Sequence, residues 1–101
     1  MRILFVDDEH MMLETFTNYM ETQLGHQVTP CDNGQEAYEE FVRNPFPMVL
    51  SDIRMPGWDG IKLLKKLKSH PQGKTADIVL VTGYRDVEST IAALRGGAYD
   101  Y

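Results

Sequence analysis

Pro47-Met48-Val49-Leu50-Ser51-Asp52-Ile53-Arg54-Met55-Pro56-Gly57 joins a short apolar run to a carboxylate and then to a turn. Pro47 to Leu50 has the length and content of a buried strand, so Asp52 is expected where that strand leaves the core. Pro56 presets φ for the first central position of a turn, and Gly57 supplies the positive φ that a type II turn needs at the second. Asp59 then suits the N-cap of a new helix. A carboxylate at the carboxyl end of a strand, just before the crossover to a helix, lies where open parallel α/β sheets place their binding crevice. Taken alone, Asp52 is more simply read as the polar end of a strand.

A second strand with the same ending changes that balance. Ile3-Leu4-Phe5-Val6 is continuously apolar and runs into Asp7-Asp8-Glu9, so acids follow a strand expected to be central in its sheet. If Asp8 and Asp52 approach to about 4 Å, their repulsion at an effective dielectric near 20 is about 4 kcal/mol. A cation must offset it. Neither segment contains cysteine, and the oxygen-only donor set points to a hard divalent ion such as Mg²⁺, which takes one or two carboxylates and keeps several waters. The plainer reading, that acids favour the N-terminus of the next helix through its dipole, is assigned to Glu9. A third apolar run, Asp77-Ile78-Val79-Leu80-Val81, ends in Thr82 and delivers a hydroxyl to the same edge.

Phe5-Val6-Asp7-Asp8-Glu9, Asp52-Ile53-Arg54-Met55-Pro56-Gly57-Trp58-Asp59-Gly60, Val81-Thr82-Gly83 and Gly97-Ala98-Tyr99-Asp100-Tyr101 together resemble the receiver domain of two-component response regulators, in order and spacing over the whole chain. The resemblance implies that Asp52 accepts a phosphoryl group from a histidine kinase or phosphotransfer protein, so that the domain catalyses its own aspartyl phosphorylation and dephosphorylation. It implies that Mg²⁺ is held by Asp8 directly, by Asp7 through water, by Asp52 and by the backbone carbonyl of Arg54. Thr82 would hydrogen-bond the phosphoryl group, and Tyr101 would be the aromatic that turns inward as the outer face of the last helix changes. The Met-Pro-Gly and Ala-Tyr-Asp-Tyr wording also resembles receivers of enhancer-dependent transcription activators and hybrid kinases.

Length and composition agree. A chain of 101 residues, 43% hydrophobic, is expected to be one domain, residues 1–101, burying about two-thirds of its unfolded surface. It has no apolar run near the roughly 20 residues of a membrane span and no signal peptide, and reads as cytoplasmic. The single cysteine, Cys31, cannot form an internal disulfide and is expected to pack in or near a strand. A formal net charge of −5 argues against direct nucleic-acid binding. Lys62, Lys65, Lys66 and Lys68 interleave with Ile61, Leu64 and Leu67, the pattern of a solvated face over a buried stripe.

Strand and helix patterns alternate along the chain. Leu13, Phe16, Met20 and Leu24 mark an amphipathic helix from about residue 9 to 24, closed by Gly25, with Met11 and Met12 beside the acidic cluster. Exposed methionine there suits an adaptable surface, and the resemblance implies that this end of the helix meets the kinase. Gln27 to Cys31 is polar and contains Pro30, which predicts an edge strand. Asn33 and Glu36 form a capping box for a helix with Ala37, Tyr38, Phe41 and Val42 on its apolar face, ending at Asn44-Pro45. The helix after Asp59 runs to about Ser69, and His70 to Gly73 is a returning loop. Asp86 caps a last helix with Val87, Ile91 and Leu94 inside.

The expected fold is a doubly wound parallel α/β sheet, flavodoxin-like, with strand order 2-1-3-4. The family places a lysine three residues after the position of Tyr101. That predicts a chain cut short, with the fifth strand and last helix largely missing, the output domain absent, and self-association through an exposed fourth strand. Two other classes share parts of this pattern. A Mg²⁺-dependent phosphohydrolase would place an acid two residues after its nucleophile, where this chain has Arg54, and a non-phosphorylated interaction module of the same fold would need no acceptor chemistry.

Overall fold

Residues 1–81, which the computed structural model describes, form strands β1 (Arg2–Val6), β2 (Gln27–Cys31), β3 (Met48–Asp52) and β4 (Asp77–Val81) alternating with helices α1 (His10–Gln23), α2 (Gly34–Arg43) and α3 (Gly60–Ser69). Thr82, the helix expected after Asp86 and Tyr101 lie outside the described residues. All strand pairs are parallel, in the order β2-β1-β3-β4, as the apolar patterning predicts. The weakest strand, β2, is an edge, and its Pro30 is exposed. The central strands are buried on both faces, which explains why Ile3 to Val6 is a continuous apolar run rather than an alternating one.

Side-chain alternation divides the core. Ile3, Phe5 and Val28 face α1, where Leu13 is buried and the Phe16 ring lies 4.4 Å from that of Phe5. Leu4, Val6, Val49, Ile78 and Leu80 face α2 and α3 and meet Ala37, Phe41, Leu63, Leu64 and Leu67. Each fully buried leucine or phenylalanine contributes about 1.5–3 kcal/mol relative to exposure.

The helix starts are chemically defined. Asn33 Oδ1 accepts from the Glu36 N–H at 2.8 Å, and Asp59 Oδ1 accepts from the Lys62 N–H at 2.8 Å; such caps contribute about 1 kcal/mol each. The return half of the expected capping box differs, because Glu36 Oε2 accepts from the Asn33 side-chain amide at 3.1 Å instead of its backbone N–H. Gly57 adopts φ +73°, as the Pro-Gly turn requires. Gly25 closes α1, and the His26 N–H returns to the Met20 carbonyl at 3.1 Å.

Three sequence expectations need correction. Leu24 and Val42 are exposed: Leu24 follows the last turn of α1, and Val42 stands one residue round the helix from Phe41, off the sheet-facing stripe. Leu63 joins Leu64 and Leu67 in the core, while Ile61 is only partly buried, so the inner face of α3 is centred one residue from where the lysine spacing places it. The returning loop after His70 is ordered by a single 3-10 turn, Pro71–Lys74, whose Gln72 N–H donates to His70 Nδ1 at 3.2 Å.

Candidate metal and phosphoacceptor site

Register alone brings the acids together. β1 and β3 are adjacent and parallel, with Val6 opposite Ser51, so Asp7 and Asp8 leave the sheet beside Asp52. The Asp7 N–H donates to the Cys31 carbonyl at 3.1 Å, which extends the hydrogen bonding between β1 and β2 by one residue and holds Asp7 at the edge. Asp7, Asp8 and Asp52 each offer one carboxylate oxygen, and these oxygens lie within 4.8 Å of one another. Asp7 is buried, Asp52 half-buried and Asp8 exposed, so the cluster is walled below and open above.

Burial pushes the Asp7 carboxyl above the usual range, and the charges of Asp8 and Glu9 add to it. The Glu9 N–H, donating to Asp7 Oδ1 at 2.9 Å, opposes the rise. Asp52 is raised as well, first by burial and then by the charge of Asp7. The backbone N–H groups of Arg54 and Ile53 donate to its carboxylate and limit the effect. Each cause except the N–H groups acts against holding negative charge here, so the cluster is strained electrostatically and primed for a cation. Three oxygen donors at this spacing fit a hard divalent ion.

The surroundings are set by loops at the same edge. Met11 and Met12 are exposed at the start of α1, matching the adaptable surface expected there. His10 Nε2 and Asp32 Oδ2 lie 3.2 Å apart between α1 and the loop leading to α2. The Asp32 carboxyl is held below its ordinary value by the Asn33 side chain and then by His10. Trp58 packs on Tyr38 with ring centroids 5.7 Å apart, and the Lys62 and Lys66 ammonium groups lie 5.1 and 5.5 Å from its ring. Two of the four clustered lysines thus cover the indole, and Lys62, Lys65 and Lys66 are exposed, whereas Lys68 is half-buried and its ammonium donates to the Ala76 carbonyl at 3.4 Å.

The structure therefore brings Asp7, Asp8 and Asp52 together and places Arg54, exposed, in the loop after β3, where its N–H reaches Asp52. Thr82 and Tyr101 lie outside the described residues, although β4 ends at Val81, opposite Asp52. Two residues that matter to the site were not singled out in the sequence. Ser51 is completely buried and its hydroxyl donates to the Asp52 carbonyl at 2.9 Å. Gly60 sits so close that a Cβ there would lie 2.3 Å from that same carbonyl oxygen. The available signal for Ser51 was a polar residue sharing the inward parity of Val49 and Ile53.

The family model for the response regulator receiver domain matches residues 3–101. The chain belongs to that family. The receiver domain is 40% identical over 100 residues to the regulatory protein AtoC of Escherichia coli K12, covering 99% of this chain and 21% of AtoC. It is 35% identical over 99 residues to the transcriptional regulatory protein FixJ of Bradyrhizobium diazoefficiens, covering 98% of this chain and 47% of FixJ. Its fold superimposes on a putative response regulator from Chloroflexus aurantiacus with a TM-score of 0.90 at 31% identity, covering 99% of this chain and 81% of that one. The receiver domain thus spans about a fifth of AtoC and under half of FixJ. Among the described residues, no helix is long and apolar enough to cross a membrane.

Proposed function

We propose that this receiver domain takes a phosphoryl group from a histidine kinase or phosphotransfer protein onto Asp52, with Mg²⁺, in the cytoplasm, and thereby switches the output of a larger regulator. The observation that supports this most is the convergence of three carboxylates within 4.8 Å at the open edge of the sheet. Asp7, Asp8, Asp52 and the Arg54 carbonyl would hold the Mg²⁺, which when bound neutralises charge developing on the transferred phosphoryl group. The Asp52 carboxylate forms a bond to phosphorus as the phosphorus–nitrogen bond of the donor breaks, and the departing imidazole takes a proton. The Ile53 and Arg54 N–H groups fix which oxygen of Asp52 points outward. Met11 and Met12 offer the donor a contact surface. Thr82 then binds a phosphoryl oxygen and Tyr101 follows it inward.

The new group carries about −1.5 to −2 charges and biases a two-state rearrangement toward the output. Relatives called transcriptional regulatory proteins favour a transcriptional output for the parent chain. Incubation with Mg²⁺ and acetyl phosphate, followed by intact-mass and peptide mass spectrometry, tests the reading. A lasting adduct on Asp52, absent in Asp52→Asn, is expected. Continuous turnover without an adduct would favour a phosphohydrolase, no reaction an interaction module, and a phosphoryl group on Asp7 or Asp8 would overturn the mechanism.

A further inference from the structure

The peptide unit joining Asp52 to Ile53 is held at both ends. Its N–H, on Ile53, donates to the Val81 carbonyl at 3.2 Å. Its carbonyl, on Asp52, accepts from the Ser51 hydroxyl at 2.9 Å. That carbonyl needs a local partner because β1 pairs with β3 only as far as Val6 opposite Ser51, after which the chain turns off toward Asp7 and Asp8. Water is kept away on the α3 side. Ser51 is completely buried, Gly60 is buried, and Gly60 approaches so closely that only a residue without Cβ fits against the Asp52 oxygen. The Gly60 N–H is engaged elsewhere, donating to the Ile53 carbonyl at 2.8 Å. A buried carbonyl in this position is costly to leave unpaired.

We infer that Ser51 is a positioning residue for the phosphoacceptor, its buried hydroxyl holding the Asp52 carbonyl and so fixing, together with the Ile53 N–H on Val81, the tilt of the peptide at which the Asp52 side chain leaves the strand. The chemistry is specific to a hydroxyl. An apolar residue of the same size fills the space but leaves the carbonyl free to rotate toward another donor, and the N–H at the other end of the rigid plane rotates with it. Ser51 never meets the donor or the phosphoryl group, because it lies on the α3 face of the sheet while Asp52, the next residue, faces the opposite way. It acts only through the peptide.

This inference rests on the reading of Asp52 as phosphoacceptor, and the test separates the two. Wild type, Ser51→Ala and Ser51→Thr are compared as the 101-residue chain with Mg²⁺, over a range of acetyl phosphate concentrations, at a temperature where circular dichroism shows all three folded. Ser51→Ala should lose about tenfold in the limiting rate of Asp52 modification, the scale expected for a misoriented reacting group, with half-saturation by acetyl phosphate unchanged. Ser51→Thr, which keeps the hydroxyl, should recover to within about threefold of wild type. The Ile53 amide resonance in ¹⁵N–¹H spectra should shift in Ser51→Ala and much less in Ser51→Thr. Equal limiting rates for wild type and Ser51→Ala would overturn the inference while leaving the phosphoacceptor reading intact. So would Ser51→Ala and Ser51→Thr losing rate equally with an unmoved Ile53 resonance. If wild type itself acquires no adduct on Asp52, the phosphoacceptor reading fails and this inference falls with it.

Discussion

Replacing Asp52 with asparagine should make the metal-free protein more stable and the Mg²⁺-loaded protein less stable relative to wild type. The oxygens of Asp7, Asp8 and Asp52 lie within 4.8 Å. At that separation a pair of unit charges repels by about 3.5 kcal/mol at an effective dielectric of 20 and by about 0.9 kcal/mol in bulk water. Asp8 is exposed and Asp52 only half-buried, so solvent screening places the realised figure toward the lower end. Asparagine keeps an oxygen for the Ile53 and Arg54 N–H groups, but those bonds weaken when the acceptor is neutral. A net gain of about 1–2 kcal/mol remains, equivalent to a rise of roughly 4–16 °C in Tm for a domain of this size.

The pH dependence carries a definite sign. Asp7 and Asp52 have folded-state pKa values raised above 3.8, so the folded state binds more protons and their contribution to stability falls as pH rises between the unfolded and folded values. The advantage of Asp52→Asn should therefore be small near pH 3.8 and fully developed once pH exceeds the raised values. Saturating Mg²⁺ reverses the order, since ligand at 100 times Kd stabilises wild type by about 2.7 kcal/mol and the variant lacks one of the carboxylates. Urea or thermal melts of both chains at several pH values, with EDTA and with Mg²⁺, supply the measurement. A variant that is no more stable than wild type in EDTA, or that gains as much from Mg²⁺, would refute the electrostatic reasoning.

Asp8→Asn should weaken Mg²⁺ binding by at least about tenfold, read from the fluorescence of Trp58, which follows Asp52 in the same loop and packs between Tyr38 and two lysines; equal affinities would remove Asp8 from the donor set. Gly60→Ala should lower stability by about 1–3 kcal/mol and slow Asp52 modification, because its Cβ would fall 2.3 Å from the Asp52 carbonyl and 2.9 Å from the Ile53 Cα, both backbone atoms that cannot rotate aside; unchanged melting would contradict that packing. Cys31 is buried and its thiol is pushed up to about 12, mainly by burial, so alkylation at pH 8 should proceed only as fast as the protein opens, and a burst of labelling in the native state would contradict the burial.

The sequence by itself determined the alternation of elements, the parallel sheet and the acids at its edge. Ile3 to Val6 has no polar position and reads as a strand covered on both faces, Ile78 to Val81 is continuously apolar and reads as a strand, and Pro30 confines its own strand to an edge. Asn33, Asp59 and Gly57 announce local events, two caps and a turn, that depend on neighbours within a few residues and are therefore readable one segment at a time. Only the tertiary structure decided how those segments meet. The register of Val6 against Ser51 carries Asp7 and Asp8 to Asp52 across more than forty residues of chain, and no local pattern encodes that distance. The same holds for Leu24, Val42 and Leu63, whose burial depends on where the sheet stops and how α3 is rotated, and for Ser51 and Gly60. Their roles exist only because the first residue of α3 presses against the last peptide of β3, a contact made by packing and not by periodicity.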